Sequence, residues 1–309
     1  MPDYQRDLEF GTFLFPKSSD APNLLRQAKL AEDLGYDIIA APDHPYWPQY
    51  LDNWTYLSAI FGATSSIRVF PDVVNLSLRQ PAVVAKAAWS LDAMGPGRLK
   101  FGLGSGGVWD GVASIGGPVW SPGQAFEHVE EAVSVLRLIW SGEETVSFEG
   151  QHYQLHDATP PPAPREPIDI WIGCGKPRMR RLVARAADGW IPNGDGIEVD
   201  NLTEASAHLD RELAAIGRPP GDVRRICNTI RKKLQPQSEG FLFGPPEQWI
   251  EEISGLALEL GFDTFVFGDR DTTEEHLHRF AEEVIPGVRE NVARARSIAA
   301  SATAPQAAR

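Results

Sequence analysis

Short β-branched runs alternate with longer segments of helical period along most of the chain, and few architectures tolerate that order. Leu8 to Phe15 reads as a first strand and Asn23 to Leu34 as its helix, with Leu24, Ala28 and Ala31 on one face and Gly35 as a stop. Asp37 to Ala41, Ile67 to Val74 and Leu99 to Leu103 follow as strands, separated by helices at Asp52 to Thr64 and Pro81 to Met94. Pro81 suits a first helical turn. The rhythm resumes with strands at Ile168 to Ile172, Gly189 to Ile191, Arg224 to Ile230 and Phe262 to Phe267. Their helices are Pro177 to Ala187, Leu202 to Ile216, Pro246 to Leu260 and Thr273 to Val288. Eight such units close as an α/β parallel barrel, a (β/α)8 TIM barrel, occupying residues 1–295 as one domain.

Two segments interrupt the rhythm. After Gly104 the chain runs "SGGVWDGVASIGGPVWSPGQ", a glycine-rich stretch over 105–125 at the C-terminal end of a central strand, where barrels keep their sites. A helix from Pro122 to Trp140 follows, with Phe126, Val129, Val133, Leu136 and Trp140 inward. The span 143–167 then reads as a surface hairpin, "TVSFEGQHYQL", and a stiff proline-rich return, "ATPPPAPREP". The alanine-rich end, 296–309, is expected to be a flexible tail whose beginning can extend the last helix and whose final residues fray. An open dinucleotide-binding sheet is the competing architecture. Its glycine fingerprint is imitated by "GLGSGG", but that motif follows the fourth strand and opens no regular helix.

A formal charge of -13 and a pI near 5.0 argue against nucleic acid or an anionic membrane as a partner. No run reaches the roughly 20 apolar residues of a membrane span, and "MPDYQRDLEF" has no secretory apolar stretch, so a cytoplasmic location is expected. Cys174 and Cys227, the only cysteines, suit a reducing compartment as buried thiols. No metal constellation is legible: His276 and His278 point to different helical faces, and His152 and His156 lie in the hairpin.

Candidate chemistry gathers beyond strand ends. "DIIAAPDHPYW" carries Asp43 and His44 off the second strand, with Tyr46 and Trp47 behind. His44 suits proton exchange with a substrate oxygen, and Asp43 suits either fixing its tautomer or tying the loop down. The alternative is a rigid solvent-facing turn. Trp47, Tyr46 and Trp109 suit the wall of a flat apolar pocket, whereas Trp89 and Trp140 belong to helix packing. "GCGKPRMRR", from Gly173 to Arg181, joins two glycines, a helix start and the charges of Lys176 and Arg178, a set that suits a phosphate. An ordinary turn with a solvated basic patch is the alternative, and Arg180 and Arg181 are expected to face solvent. "IRKKL" adds cations after the seventh strand.

Taken together, "AEDLGYDIIAAPDH", "LRQPAVVAKAAWSLDAMGPGRLKFGLGSG", "FEHVEEAVSVLRLIW", "IWIGCGKPRMRRLVARAADGWIP" and "FGPPEQWIEEI" resemble the luciferase-like family of flavin- and deazaflavin-dependent oxidoreductases. The resemblance spans about residues 8–290. It implies a bacterial luciferase-like barrel with insertions and a tricyclic cofactor over the C-terminal strand ends. The cofactor's phosphate would lie near Gly173, Cys174, Gly175, Lys176, Pro177 and Arg178. A non-prolyl cis bond is implied around Asp72, Val73 and Val74, with Asn75 and the run Gly104, Ser105 and Gly106 bordering the ring.

Asp43 and His44 followed by Trp47 resemble members that use coenzyme F420, in which the histidine faces the hydride-transfer centre. The implied catalytic set is His44, Asp43, Trp47 and Trp109, acting between the deazaflavin and a small organic substrate. An FMN-dependent monooxygenase that draws reduced flavin from a separate reductase is the alternative, and a barrel that binds without chemistry is a third. The family also implies a homodimer. In one departure, Gly107 stands where the family's sugar-phosphate dehydrogenases carry a glutamate, which leaves Asp110 as the neighbouring acid. The loops 105–124 and 192–201 are expected to shape the substrate pocket.

Overall fold

The computed structural model describes residues 2–192 and 199–303. Eight parallel barrel strands run Glu9–Phe13, Ile38–Ala41, Arg68–Pro71, Phe101–Gly104, Ile170–Gly173, Gly189–Ile191, Arg224–Asn228 and Thr264–Phe267. The sheet order joins the third strand to the second, first, eighth, seventh, sixth, fifth and fourth in turn. A parallel bridge between Val69 and Leu99 brings the third strand against the fourth and completes the ring. The third strand is shorter than its apolar run suggests. It stops at Pro71, passes through a cis peptide at Asp72-Val73, and resumes as Val74–Asn75 paired to Leu103 and Gly104.

Alternation sorts each strand into two cores. Phe13, Ile38, Ala40, Phe70, Trp171, Ile191, Ile226 and Val266 fill the barrel interior. Phe70 and Trp171 meet edge to face across it at 5.0 Å, so the interior is plugged. Phe10, Ile39, Val69, Phe101 and Ile172 face the surrounding helices. Asp52 caps the helix Asn53–Ala63 through the amide of Thr55, and Ser121 caps Pro122–Ile139 in a capping box with Gln124.

The interruptions take the following form. The segment over 105–125 is not a continuous loop: it contains the short helix Trp109–Ser114 and leads into Pro122–Ile139. The hairpin is present, with Val146–Glu149 antiparallel to Gln154–Ala158. The beginning of the segment from 296 extends the last helix, which runs from Ile285 to Thr303, and Arg296 grips Asp3 at 2.8 Å; positions 304–309 lie outside the described residues. The expected loop 192–201 likewise falls largely outside them. No helix among the described residues is long and apolar enough to cross a membrane.

Candidate active site

Parallel strands put every C-terminal end on one rim, and each expected site segment leaves the barrel there. Asp43 and His44 follow the second strand, Val73 to Asn75 the third, Gly104 to Gly106 the fourth, and Gly173 to Arg178 the fifth. Direct contacts join them. The Asp43 carboxylate accepts the Asn75 amide at 3.1 Å, and the Val73 methyls lie between Gly104 and Gly173. A Cβ on Gly104 would meet a Val73 methyl at 2.5 Å, and one on Gly173 at 3.2 Å. Close approach therefore demands a glycine at 104 and makes the fit at Gly173 tight. Gly106 has φ +98, and a Cβ there would meet the Asn75 side-chain oxygen at 2.8 Å.

His44 is half-buried beside Trp47, with ring centroids 4.1 Å apart. Its Nδ1 pairs with the Tyr46 hydroxyl at 2.5 Å. Burial lowers the His44 pKa and the nearby Arg270 lowers it further, against an opposing pull from Asp43, so the neutral ring is favoured. Burial, helped by Asp43, pushes the Tyr46 phenol up to about 12 and keeps its proton on. Tyr46, expected only as a wall, is thus the partner that holds the imidazole. Asp43 takes the second of its two expected roles: its buried carboxylate receives Arg79 through Nε at 2.8 Å and Nη2 at 2.7 Å. Arg79 also reaches Asp52 at 2.5 Å, which ties the loops after the second and third strands together.

Trp109 is half-buried on the helix Trp109–Ser114 and packs against Trp120 at 6.2 Å. The helix lies on Tyr46, because a Cβ on Gly111 would touch the phenol ring at 2.5 Å. Ser105 is half-buried, and its hydroxyl turns back to the Gly106 carbonyl. Gly107 is exposed with open space where a side chain would begin, and Asp110 is exposed one turn on.

The turn after the fifth strand leads into the helix Pro177–Ala186, whose first residue is a proline. Among the described residues, the amides of Gly175, Lys176 and Arg178 have no hydrogen-bond partner, whereas Met179 and Arg180 donate to the Lys176 carbonyl. Lys176 is exposed, and Arg178 is exposed and lies over the Phe126 ring at 3.8 Å.

Expectations change for Cys174 as a cofactor contact, for Val74 and for Arg180, while the Cys174 thiol is buried as the sequence implies. Cys174 turns its thiol into the outer core, and both its backbone groups are used, by Ile191 and the Trp190 indole; burial raises the thiol to about 12. Val74 is fully buried among the helix-facing residues, so only Val73 borders the mouth. Arg180 is buried and donates to the Gly175 carbonyl at 2.9 Å, which braces the turn, while Arg181 is half-exposed. The cations after the seventh strand are partly engaged, with Lys232 over the Phe243 ring at 5.0 Å.

Two residues, Arg270 and Asn228, went unnoticed in the sequence, and Asp72 was marked only for the implied cis bond. Arg270, beyond the eighth strand, lies over Trp47 at 5.2 Å. Asp72 receives a hydrogen bond from Asn228 Nδ2 at 2.7 Å. Alternation from Phe70 through Asp72, and from Ile226 through Asn228, is the signal that would have marked both as inward. A cavity of about 650 Å³ also opens between the loops after the first and eighth strands. It touches the mouth only near Phe13, Phe15 and Arg270 and is flanked by the Lys17–Asp271 and Arg26–Glu274 pairs.

The family model described as luciferase-like monooxygenase matches residues 8–230. The chain belongs to that family. It is an enzyme, with oxidoreductase relatives. A glucose-6-phosphate dehydrogenase of Intrasporangium calvum, named F420-dependent, is 34% identical over 311 residues, covering 84% of this chain and 92% of the relative. Among solved structures, an F420-dependent secondary alcohol dehydrogenase in complex with an F420-acetone adduct superposes with a TM-score of 0.82 at 20% identity, over 92% of this chain and 100% of that one. A monooxygenase of Streptomyces bottropensis gives 0.74 at 21% identity, over 90% and 99%. These two likenesses establish the shared barrel.

Proposed function

We propose that the protein is a coenzyme F420-dependent oxidoreductase that moves a hydride between the deazaflavin and a small secondary alcohol or the corresponding carbonyl compound. The observation that carries this reading is the continuity of one rim, from the neutral, Tyr46-held His44 through Asn75 and Val73 to the unpartnered amides of Gly175, Lys176 and Arg178. The F420 relatives support the choice of cofactor.

The residues fit such a group. Gly104 and Gly173 let Val73 form a flat apolar step, and free amides at a helix start beside Lys176 and Arg178 suit a phosphate. When bound, the cofactor supplies a hydride acceptor in its oxidised form and a donor in its reduced form.

In the oxidising direction, neutral His44 takes the substrate hydroxyl proton on Nε2 as the carbon-bound hydrogen leaves as hydride. The hydrogen on Nδ1 then points to the Tyr46 oxygen, so the imidazolium is hydrogen-bonded as it forms. In the reducing direction the same Nε2 hydrogen protonates the carbonyl oxygen. Asp43, bound to Arg79 and the Asn75 amide, acts as a positioning residue for the loop. Trp47 and Trp109 wall the substrate side, and a separate reductase or dehydrogenase recycles the cofactor. Gly107 leaves an open position instead of an acid, which favours simple alcohols over glucose 6-phosphate.

Titration with F420 and FMN in competition, followed by absorbance assays with secondary alcohols, tests the reading. The expected result is tighter F420 binding and alcohol-dependent bleaching of its visible band. Tighter FMN binding with oxygen-dependent turnover would transfer the assignment to a monooxygenase, and an F420 dissociation constant above about 1 mM would end it.

A further inference from the structure

Asp72 and Asn228 come from the third and seventh barrel strands, which the sheet order separates by the second, first and eighth. A hydrogen bond between their side chains therefore crosses the barrel. Each stands two residues beyond an interior residue, Phe70 or Ile226, so the pair lies one layer above the Phe70–Trp171 plug, at the floor of the mouth. It is a polar crossing in an apolar interior. Asn228 is 4% exposed, and its side-chain oxygen has no hydrogen-bond partner among the described residues. Asp72 is less covered and takes part in no ion pair among them.

Among the described residues, no cation forms an ion pair with Asp72. The second strand brings Ala40 and Ala41, whose carbonyl accepts the Asp72 amide, and the first brings Phe13. The fourth strand, Phe101–Gly104, carries no titratable group, and the fifth ends in Gly173. On the seventh strand, Arg224 and Arg225 are at the far end, where Arg224 is held by Glu9 and Asp263 and Arg225 by Asp210. On the loop above, Asp43 is held by Arg79 and His44 by Tyr46.

We propose that Asp72 and Asn228 form the polar floor beneath the cofactor ring, and that the Asp72 carboxyl takes up one proton from solvent when the cofactor covers it. This rests on the F420 reading above. The ring seat at Val73 is the next residue after Asp72, so an occupant there removes the carboxyl's remaining access to water. A carboxylate covered by an apolar ring, with one carboxamide donor and no cation, binds a proton at lower cost than it loses its hydration. Burial already pushes Asp72 up to about 7, against the opposing hydrogen bond from Asn228. Once protonated, the carboxyl can donate to the Asn228 oxygen that otherwise lacks a partner.

The test is calorimetric titration of F420 in two buffers of different ionisation enthalpy at pH 8, which counts protons taken up, for wild type, Asp72→Asn and Asn228→Ala. Wild type is expected to take up close to one proton more than Asp72→Asn, and Asn228→Ala less than wild type, because loss of the opposing donor leaves more of its carboxyl protonated before the cofactor binds. Across pH 7 to 9 the wild-type dissociation constant should weaken up to about tenfold per unit relative to Asp72→Asn. Equal uptake in wild type and Asp72→Asn would overturn the proposal while leaving the cofactor assignment standing. Absence of F420 binding in every variant would overturn both. Thermal melting of the apoproteins is a readout free of cofactor. A carboxyl raised in the fold contributes stability that is full below its unfolded value and lost as pH rises through 7, so Asp72→Asn should gain on wild type between pH 6 and 8. A constant difference would contradict the inference.

Discussion

The two ends of the barrel treat charge in opposite ways. At the N-terminal end, Glu9 receives Arg68 at 2.6 Å and Arg224 at 3.2 Å, and Asp263 receives Arg224 at 3.2 Å and Arg6 at 3.3 Å. Lys100 meets Asp169 at 2.8 Å beside them. At the C-terminal end, Asp72 has a carboxamide for company, His44 a phenol, and the turn after the fifth strand holds free amides. Burial pushes Asp263 up to about 6 although Arg224 and Arg6 pull it down, and Asp72 up to about 7 with Asn228 alone opposing. One rim uses its charges on each other; the other does so only at Asp43, Arg79 and Asp52, and leaves the remaining polar groups available for a ligand.

The sharpest way to break that contrast is to remove a cation from the paired rim. Arg224→Ala leaves Glu9 and Asp263 buried with one partner fewer each, and urea denaturation should show a loss of about 3–5 kcal/mol. F420 affinity of the folded fraction should stay within about threefold, because the open rim is untouched. His44→Ala makes the converse test: alcohol-dependent turnover should fall by about 100-fold or more with the melting temperature nearly unchanged. Gly104→Val places a side chain against Val73, so F420 binding should weaken at least tenfold with about 1–3 kcal/mol lost in stability. The smallest effect concerns pH. Burial and then Arg270 hold His44 below its ordinary 6.5, so the acid limb of kcat/KM should lie below that value. Arg270→Gln should move the limb upward, and an unmoved limb would separate Arg270 from His44.

The barrel was legible because its strands are dense in β-branched and aromatic residues and each helix begins or ends on a recognisable signal, such as Pro81, Pro177 or Gly35. The turn after the fifth strand was legible for the same local reason, through its two glycines and the helix start at Pro177. What escaped was set by contacts across the ring. Arg180 looks solvent-facing in "KPRMRR", yet a carbonyl five residues back and the neighbouring helix bury it. Tyr46 reads as a wall until the turn folds its hydroxyl onto His44, and Asp72 as part of the third strand beside an implied cis bond until the closed sheet sets Asn228 opposite. The break in the third strand was hidden because "IRVFPDVV" is β-branched and aromatic on both sides of Pro71 and Asp72, and only the resemblance pointed to a cis bond there.

The most direct measurement is a crystal structure with oxidised F420 bound. The account predicts the phosphate within hydrogen-bond distance of the Gly175, Lys176 or Arg178 amides, one ring face on Val73, and His44 facing the reacting carbon from the other side. A phosphate seated away from that turn, or a ring that leaves Val73 uncovered, would contradict it.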